Sequence, residues 1–187
     1  MANRNTAGFG LVAAGTLGQT PATSGQGKYK IDAGYGTTIY QGGAVASSAG
    51  YIIDGQTTDA PILGVLNGIF YNAATTLKPT FANFYKTPIT PANSEEVDSF
   101  VFDNPQQQYV VATDAAVTQE GFLETYDMNT SAGSDTTGKS SATLDIDDTS
   151  ADAASFRLLR SAEDPENDEN AAFRSVVVCI NLIELQS

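Results

Sequence analysis

Carboxylates are the groups in this chain most able to do chemistry, so they set the first question. Three runs stand out: Asp145, Asp147 and Asp148 around Ile146; Asp54 and Asp59 on either side of a Gly-Gln-Thr-Thr loop; and the acidic stretch Glu163 to Glu169. A calcium site needs several oxygens converging on one point, usually an Asp-x-Asp-x-Asp-Gly run with a distal Glu, and none of the three has that spacing. Glycoside hydrolysis needs two carboxylates at a set separation in a cleft, and nothing marks such a pair here. Turn capping, solvation and interface contacts are the expected roles of these acids.

The other chemical repertoires are thin. The chain contains no histidine, which removes the commonest general base and the commonest zinc ligand. Its one cysteine, Cys179, lies in the apolar run Val176-Val177-Val178-Cys179-Ile180, where a thiol behaves as a small buried hydrophobe. A single cysteine allows no intrachain disulfide and suits a reducing compartment. Gly8-Phe9-Gly10 lacks the remaining glycines of a dinucleotide loop, and there is no Gly-x-Ser-x-Gly elbow. Gly138-Lys139-Ser140 echoes the end of a phosphate loop, but no hydrophobic helix follows it, so no phosphate site is expected. These absences lead to the expectation of a non-enzymatic protein with no cofactor and no metal.

Charge narrows the partners. Against 22 Asp and Glu stand 9 Lys and Arg, a formal net charge of −13. Such a surface repels phosphate and anionic membranes, so neither nucleic acid nor membrane is an expected partner, and a basic protein surface is. The start Met-Ala-Asn-Arg-Asn-Thr has no apolar core of a secretory signal, and no run approaches the length of a membrane span. A soluble, unprocessed protein is expected.

The elements that would position any site read as strands. Seventeen glycines, abundant Thr and Ser, eight Tyr and nine Phe favour short strands and turns over long helices. The expected fold is all-β: two small barrel-like or sandwich-like blocks, at residues 28–90 and 97–187, behind an extended arm at residues 1–27. The arm is too poor in large apolar residues to fold alone. Yet Phe9, Leu11, Val12 and Leu17 are apolar anchors, and with Arg4 they are the expected contacts to a partner, made by adding a strand to its sheet. Deleting the arm is then expected to weaken binding and leave the fold intact.

In the first block, Lys28–Asp32, Thr37–Tyr40 and Gly50–Ile53 read as strands, and Asp54-Gly55 as a turn. Pro61–Leu66, then Asn67-Gly68, then Ile69-Phe70-Tyr71 reads as a hairpin closed by a two-residue turn. Gly64, inside a strand, suggests a bulge or a close backbone approach. Thr87–Ser94, with Pro88 and Pro91, reads as a linker. In the second block, Ser99–Phe102, Gln108–Ala112, Gly121–Tyr126, Ala142–Ile146 and Ser155–Leu159 are strands, and Ser150–Ala154 a helical turn. Phe173–Leu185 is a long last strand, apolar on both faces from Val176 to Ile183. That pattern suits a central strand or one covered by a second subunit, so Val176, Val178, Ile180 and Leu182 are the expected subunit interface.

Two resemblances follow from particular residues. Asp54-Gly-Gln-Thr-Thr-Asp-Ala-Pro-Ile-Leu-Gly-Val-Leu66 resembles, with one inserted residue, the turn-then-strand segment of lambdoid head decoration proteins. The opening Met-Ala-Asn-Arg, Gly8-Phe9-Gly10, Tyr40-Gln-Gly-Gly43, residues 137–145 (Thr-Gly-Lys-Ser-Ser-Ala-Thr-Leu-Asp), 156–159, 164–167 and 176–181 resemble virion proteins of marine and cyanobacterial tailed phages. These resemblances imply a small β-rich decoration or cement protein, a homotrimer or homodimer, that clamps a capsid from outside with the major capsid protein as partner. The alternatives are another virion component (head fibre, tail or minor capsid protein) and a carbohydrate-binding module using Tyr71, Tyr85, Tyr109 and Tyr126.

Overall fold

The computed structural model describes residues 5–18, 25–55, 61–129, 133–147, 155–168, 170–181 and 184. Arg4, Asp59, Asp148, the helical turn expected at Ser150–Ala154, Glu169 and Leu182 lie outside them.

The chain is all-β. Its strands run in order as β1 (Val12–Thr16), β2 (Gly27–Ile31), β3 (Ala44–Ser48), β4 (Tyr51–Asp54), β5 (Gly64–Asn72), β6 (Pro79–Ala82), β7 (Val97–Phe102), β8 (Gln107–Ala112), β9 (Thr125–Tyr126), β10 (Met128–Asn129), β11 (Thr143–Leu144), β12 (Phe156–Ser161) and β13 (Ser175–Ile180). One antiparallel sheet has the order β1-β8-β13-β12-β9. The other has the order β2-β7-β5-β3-β4, with β6 also paired to β5. β10 and β11 form a separate two-stranded ribbon.

Alternation explains how two cores form. In β3, Ala44 faces one core and Val45 the other; in β5, Val65 and Leu66 divide the same way. Strands with apolar side chains on both faces can be buried on both faces. The first core lies between the two sheets and holds Tyr109, Val111, Phe156, Leu158, Val176 and Val178. The second is enclosed by the β2–β7 sheet, whose end strands β2 and β4 approach each other, and holds Ile31, Ile52, Leu66, Ile69, Tyr85 and Val101.

Three sequence expectations are corrected here. The Asn67-Gly68 pair closes no hairpin, because β5 runs straight through it. The pairing with β7 slips between Leu66 and Gly68, a bulge. A tight two-residue turn of the Asn-Gly type needs positive φ at both positions, and neither residue has it. Instead Gln41 Nε2 donates to the Asn67 carbonyl at 3.1 Å and to its Oδ1 at 3.2 Å, satisfying groups that the bulge frees from the ladder. Long-range pairing with β7 outweighs the local turn preference.

The second correction concerns residues 87–94. They stay with the β2–β7 sheet: Pro91 bridges Ala73, Ala74 donates to the Thr90 carbonyl at 3.2 Å, and Ile89 and Ala92 are buried. The chain crosses to the other sheet at 103–106, where Asn104 caps the turn through its carbonyl (to Gln107 N, 2.9 Å) and its side chain (to Gln106 N, 2.9 Å).

The third concerns the expected arm. Over 12–16 it is β1, an edge strand on β8, with Val12 opposite Val110 and Thr16 opposite Gln107. Leu11, only 3% exposed, belongs to the first core, with Ala13 packed against it. Alternation aims Leu11 and Ala13 inward and leaves Val12 outward, 51% exposed. Phe9 is half-buried and Leu17 exposed. The segment too poor to fold alone folds by completing a sheet made from the far end of the chain.

Candidate docking surface

Of the residues expected at a subunit interface, the three that are described are inside the protomer. Val176 and Val178 are fully buried and Ile180 is 7% exposed, all three in the first core. β13 is the middle strand of its sheet, which accounts for its two apolar faces without a second subunit. Cys179, on the opposite face of β13, is buried as expected, and burial pushes its thiol pKa up.

The tyrosines named for a carbohydrate site are likewise structural. Tyr85, Tyr109 and Tyr126 are buried, and each hydroxyl donates to a backbone carbonyl: Tyr35 at 2.9 Å, Phe102 at 3.0 Å and Gly121 at 3.1 Å. Tyr71 packs half-buried against the second core.

Described members of two of the acidic runs are occupied with local structure. Asp145 Oδ1 accepts from Asp147 N at 3.2 Å, and Asp114 Oδ1 from Ile146 N at 2.9 Å. In the 163–170 loop, Asp164 and Asp168 cap turns, and Asn167 ties the loop to β13 by donating to the Ser175 carbonyl (2.8 Å) and accepting from Ser175 N (2.9 Å). Among the described residues no three His, Cys, Asp or Glu side chains gather to hold a metal.

Residues 133–140, Gly-Ser-Asp-Thr-Thr-Gly-Lys-Ser, do fit the spacing of a phosphate loop, so the backbone has to decide. It forms a tight excursion in which Gly133 bridges Ser140 and Gly138 N donates to the Ser134 carbonyl at 2.6 Å. The chain then enters β11 and no helix follows. A phosphate cradle needs successive free N–H groups at a helix start; here no helix follows, and the N–H groups of Thr137, Gly138, Lys139 and Ser140 are already bonded within the protein. Asp135 instead accepts from Tyr40 (2.7 Å) and pairs with Lys86 (3.0 Å), beside a stacked Tyr40–Phe84 pair at 5.7 Å.

What the sequence reading missed is the outward face of the β5–β6 hairpin. Phe70 pairs with Phe81 across the strands, their ring centroids 4.7 Å apart. Phe81 is 75% exposed, and Leu77, at the tip of the hairpin, is 69% exposed. Ile69 and Tyr71 take the inward positions, so alternation turns Phe70 away from the second core. That alternation was the available signal; the open face beside it was not.

The same row of the sheet continues from Phe70 to Asp98 and then to Lys30. Asp98 is buried but held by Lys28 at 2.7 Å and Lys30 at 2.5 Å. Burial works to raise its pKa, and the hydrogen bonds and charges of the two lysines outweigh it, so the carboxyl sits below its ordinary value. A lowered carboxylate stabilises the fold above its unfolded pKa, and that contribution is lost as pH falls through the folded value. Asp98→Asn is expected to cost about 1 kcal/mol at neutral pH, because the lysines are largely exposed. The gap in melting midpoint between wild type and variant should close as pH drops below about 4. A gap unchanged down to pH 2 would show that the lysine pairs contribute nothing.

Next to this row lies a depression of about 280 Å³ lined by Lys30, Phe70, Asn72, Glu95, Glu96 and Asp98, among others. Glu95 accepts from Asn72 Nδ2 at 3.1 Å. Glu96 accepts from Tyr51 Oη at 3.3 Å and Ala33 N at 3.1 Å. Charge from Glu96, then its hydrogen bond, raises the Tyr51 pKa, so that hydroxyl stays a donor.

Compared with known proteins, the chain matches no family model, no curated protein and no solved structure.

Proposed function

We propose that this chain is a virion structural protein that binds the outer surface of an icosahedral tailed-phage capsid and stabilises it. The observation that carries the reading is the exposed ring of Phe81, packed against half-buried Phe70 in the surface of a strongly acidic all-β protein. Large exposed apolar groups on a soluble surface mark contact with another macromolecule. The sequence resemblance to head decoration proteins supplies the kind of partner: the major capsid protein, whose ordered lattice repeats one weak contact many times. A protein that binds the assembled lattice and not its dissociated subunits stabilises it by mass action.

The test mixes the purified chain with expanded shells of the encoding phage that lack it. Saturable binding at a symmetry-related copy number, together with a higher shell melting temperature, is expected. Mature particles devoid of the protein, or its presence only in tails, would overturn the reading.

A further inference from the structure

We infer that the outward face of the β5–β6 hairpin, with the adjoining Glu95–Glu96 depression, is the docking surface for a protein segment that presents an arginine or lysine next to an apolar side chain. The inference rests on the capsid-binding reading and specifies its contact.

Two features of different kind meet at Phe70. One is apolar: Phe81 and Phe70 offer ring surface to solvent, and Leu77 extends it at the hairpin tip. Buried aromatic anchors dominate binding energy at protein interfaces, and an aromatic face also attracts a cation. The other is electrostatic. Lys30 and Asp98 line one side of the depression, and Lys28 and Lys30 both close on Asp98, so the positive charge there is already directed to that carboxylate. Glu95 and Glu96 accept hydrogen bonds from an amide, a phenol and a backbone N–H, all neutral. Among the described residues neither carboxylate has an ion-pair partner. A guanidinium entering the depression would lie against Phe70 and donate to the carboxylates, while its apolar neighbour covers Phe81. Carboxylate–guanidinium pairs of this kind are directional as well as strong. A nucleic acid or anionic lipid meets repulsion at the same place.

The experiment uses the full chain, the variants Phe81→Ser and Glu95→Gln/Glu96→Gln, shells lacking the protein, short peptides tiled through the major capsid protein with Arg- and Lys-to-Ala copies, and a glycan array. Circular dichroism and melting confirm that the variants fold, as expected for substitutions at exposed Phe81 and Glu95 and for a near-isosteric amide at half-buried Glu96. Wild type should bind shells and a subset of basic, apolar-bearing peptides, and lose those peptides when their Arg or Lys is replaced. Phe81→Ser should weaken binding at least tenfold. The double Gln variant should bind more weakly, and its binding should fall less steeply with salt than that of wild type.

Shell binding by wild type with no loss in Phe81→Ser overturns the docking surface and leaves the capsid reading standing. Binding to basic peptides through Phe81, with no binding to shells, does the reverse. Glycan binding that depends on Phe81 overturns the surface as a protein contact, and so does failure to bind any of the probes.

Discussion

Deleting residues 1–18 is expected to destabilise the whole sheet built on β8, where a free tether would have left the fold untouched. Leu11 is 3% exposed in the first core, and losing such a side chain costs about 2 kcal/mol. β1 also pairs with β8 at four positions, and Gly10, Leu11 and Leu17 donate to the carbonyls of Ala142 (3.2 Å), Gly42 (2.8 Å) and Gln106 (2.8 Å). At about 1 kcal/mol net for each hydrogen bond lost, the total reaches roughly 5 kcal/mol or more. That is comparable to the full stability of many domains. Urea unfolding of the truncated chain should show a collapsed midpoint or no cooperative transition. A truncated chain that unfolds at the wild-type midpoint would show that β1 contributes nothing to the core, and would restore the free-arm expectation. If truncation also abolishes shell binding, the unfolding shows why that loss alone identifies no contact.

Gly64→Val is the second substitution expected to do large damage. A Cβ at Gly64 would overlap the Phe102 carbonyl oxygen and lie 2.7 Å from Val101 Cγ1. The obstacle is the backbone of the paired strand β7, so relief requires β5 and β7 to separate where they join the two cores. Overpacking of this kind costs about 3 kcal/mol. At about 2–4 °C per kcal/mol for a chain of this size, the melting midpoint should fall by roughly 6–12 °C. Gly68→Ala is the comparison. Its Cβ would sit 3.1 Å from the Ala82 carbonyl, a contact that a few tenths of an ångström relieves, so a loss of about 1 kcal/mol is expected. Equal melting losses in the two variants would mean that Gly64 is ordinary strand glycine, with no close approach behind it.

Gly64 also shows how far residue type alone reaches. A glycine between Leu63 and Val65 signals close approach because any larger residue packs better unless something occupies the space. The last strand was similarly legible: Val176 to Ile180 is apolar at every position, which only burial on both faces tolerates, and β13 is the central strand. The identity of what buries it was not legible. The same pattern suits a neighbouring subunit, and the choice went to β8 and β12 of the same chain.

Asn67-Gly68 and Phe81 mark the opposite limit. Asn-Gly has a strong local turn preference, yet β7 on one side and the Gln41 side chain on the other hold it in an extended bulge. Phe81 is a residue type that usually contributes to a core. Its ring lies in solvent because, among the described residues, nothing covers that face of the β5–β6 hairpin.

Composition and alternation by themselves therefore determined the all-β class, most short strands and the close approach at Gly64, since these follow from φ/ψ preference, side-chain period and volume. Tertiary structure alone decided that β1 joins the chain's far end, that β13 is covered from within, and that an aromatic pair beside Glu95 and Glu96 faces outward. Each of those depends on pairing between segments distant in sequence, whose free energy comes from burying surface jointly and leaves no mark on either segment alone.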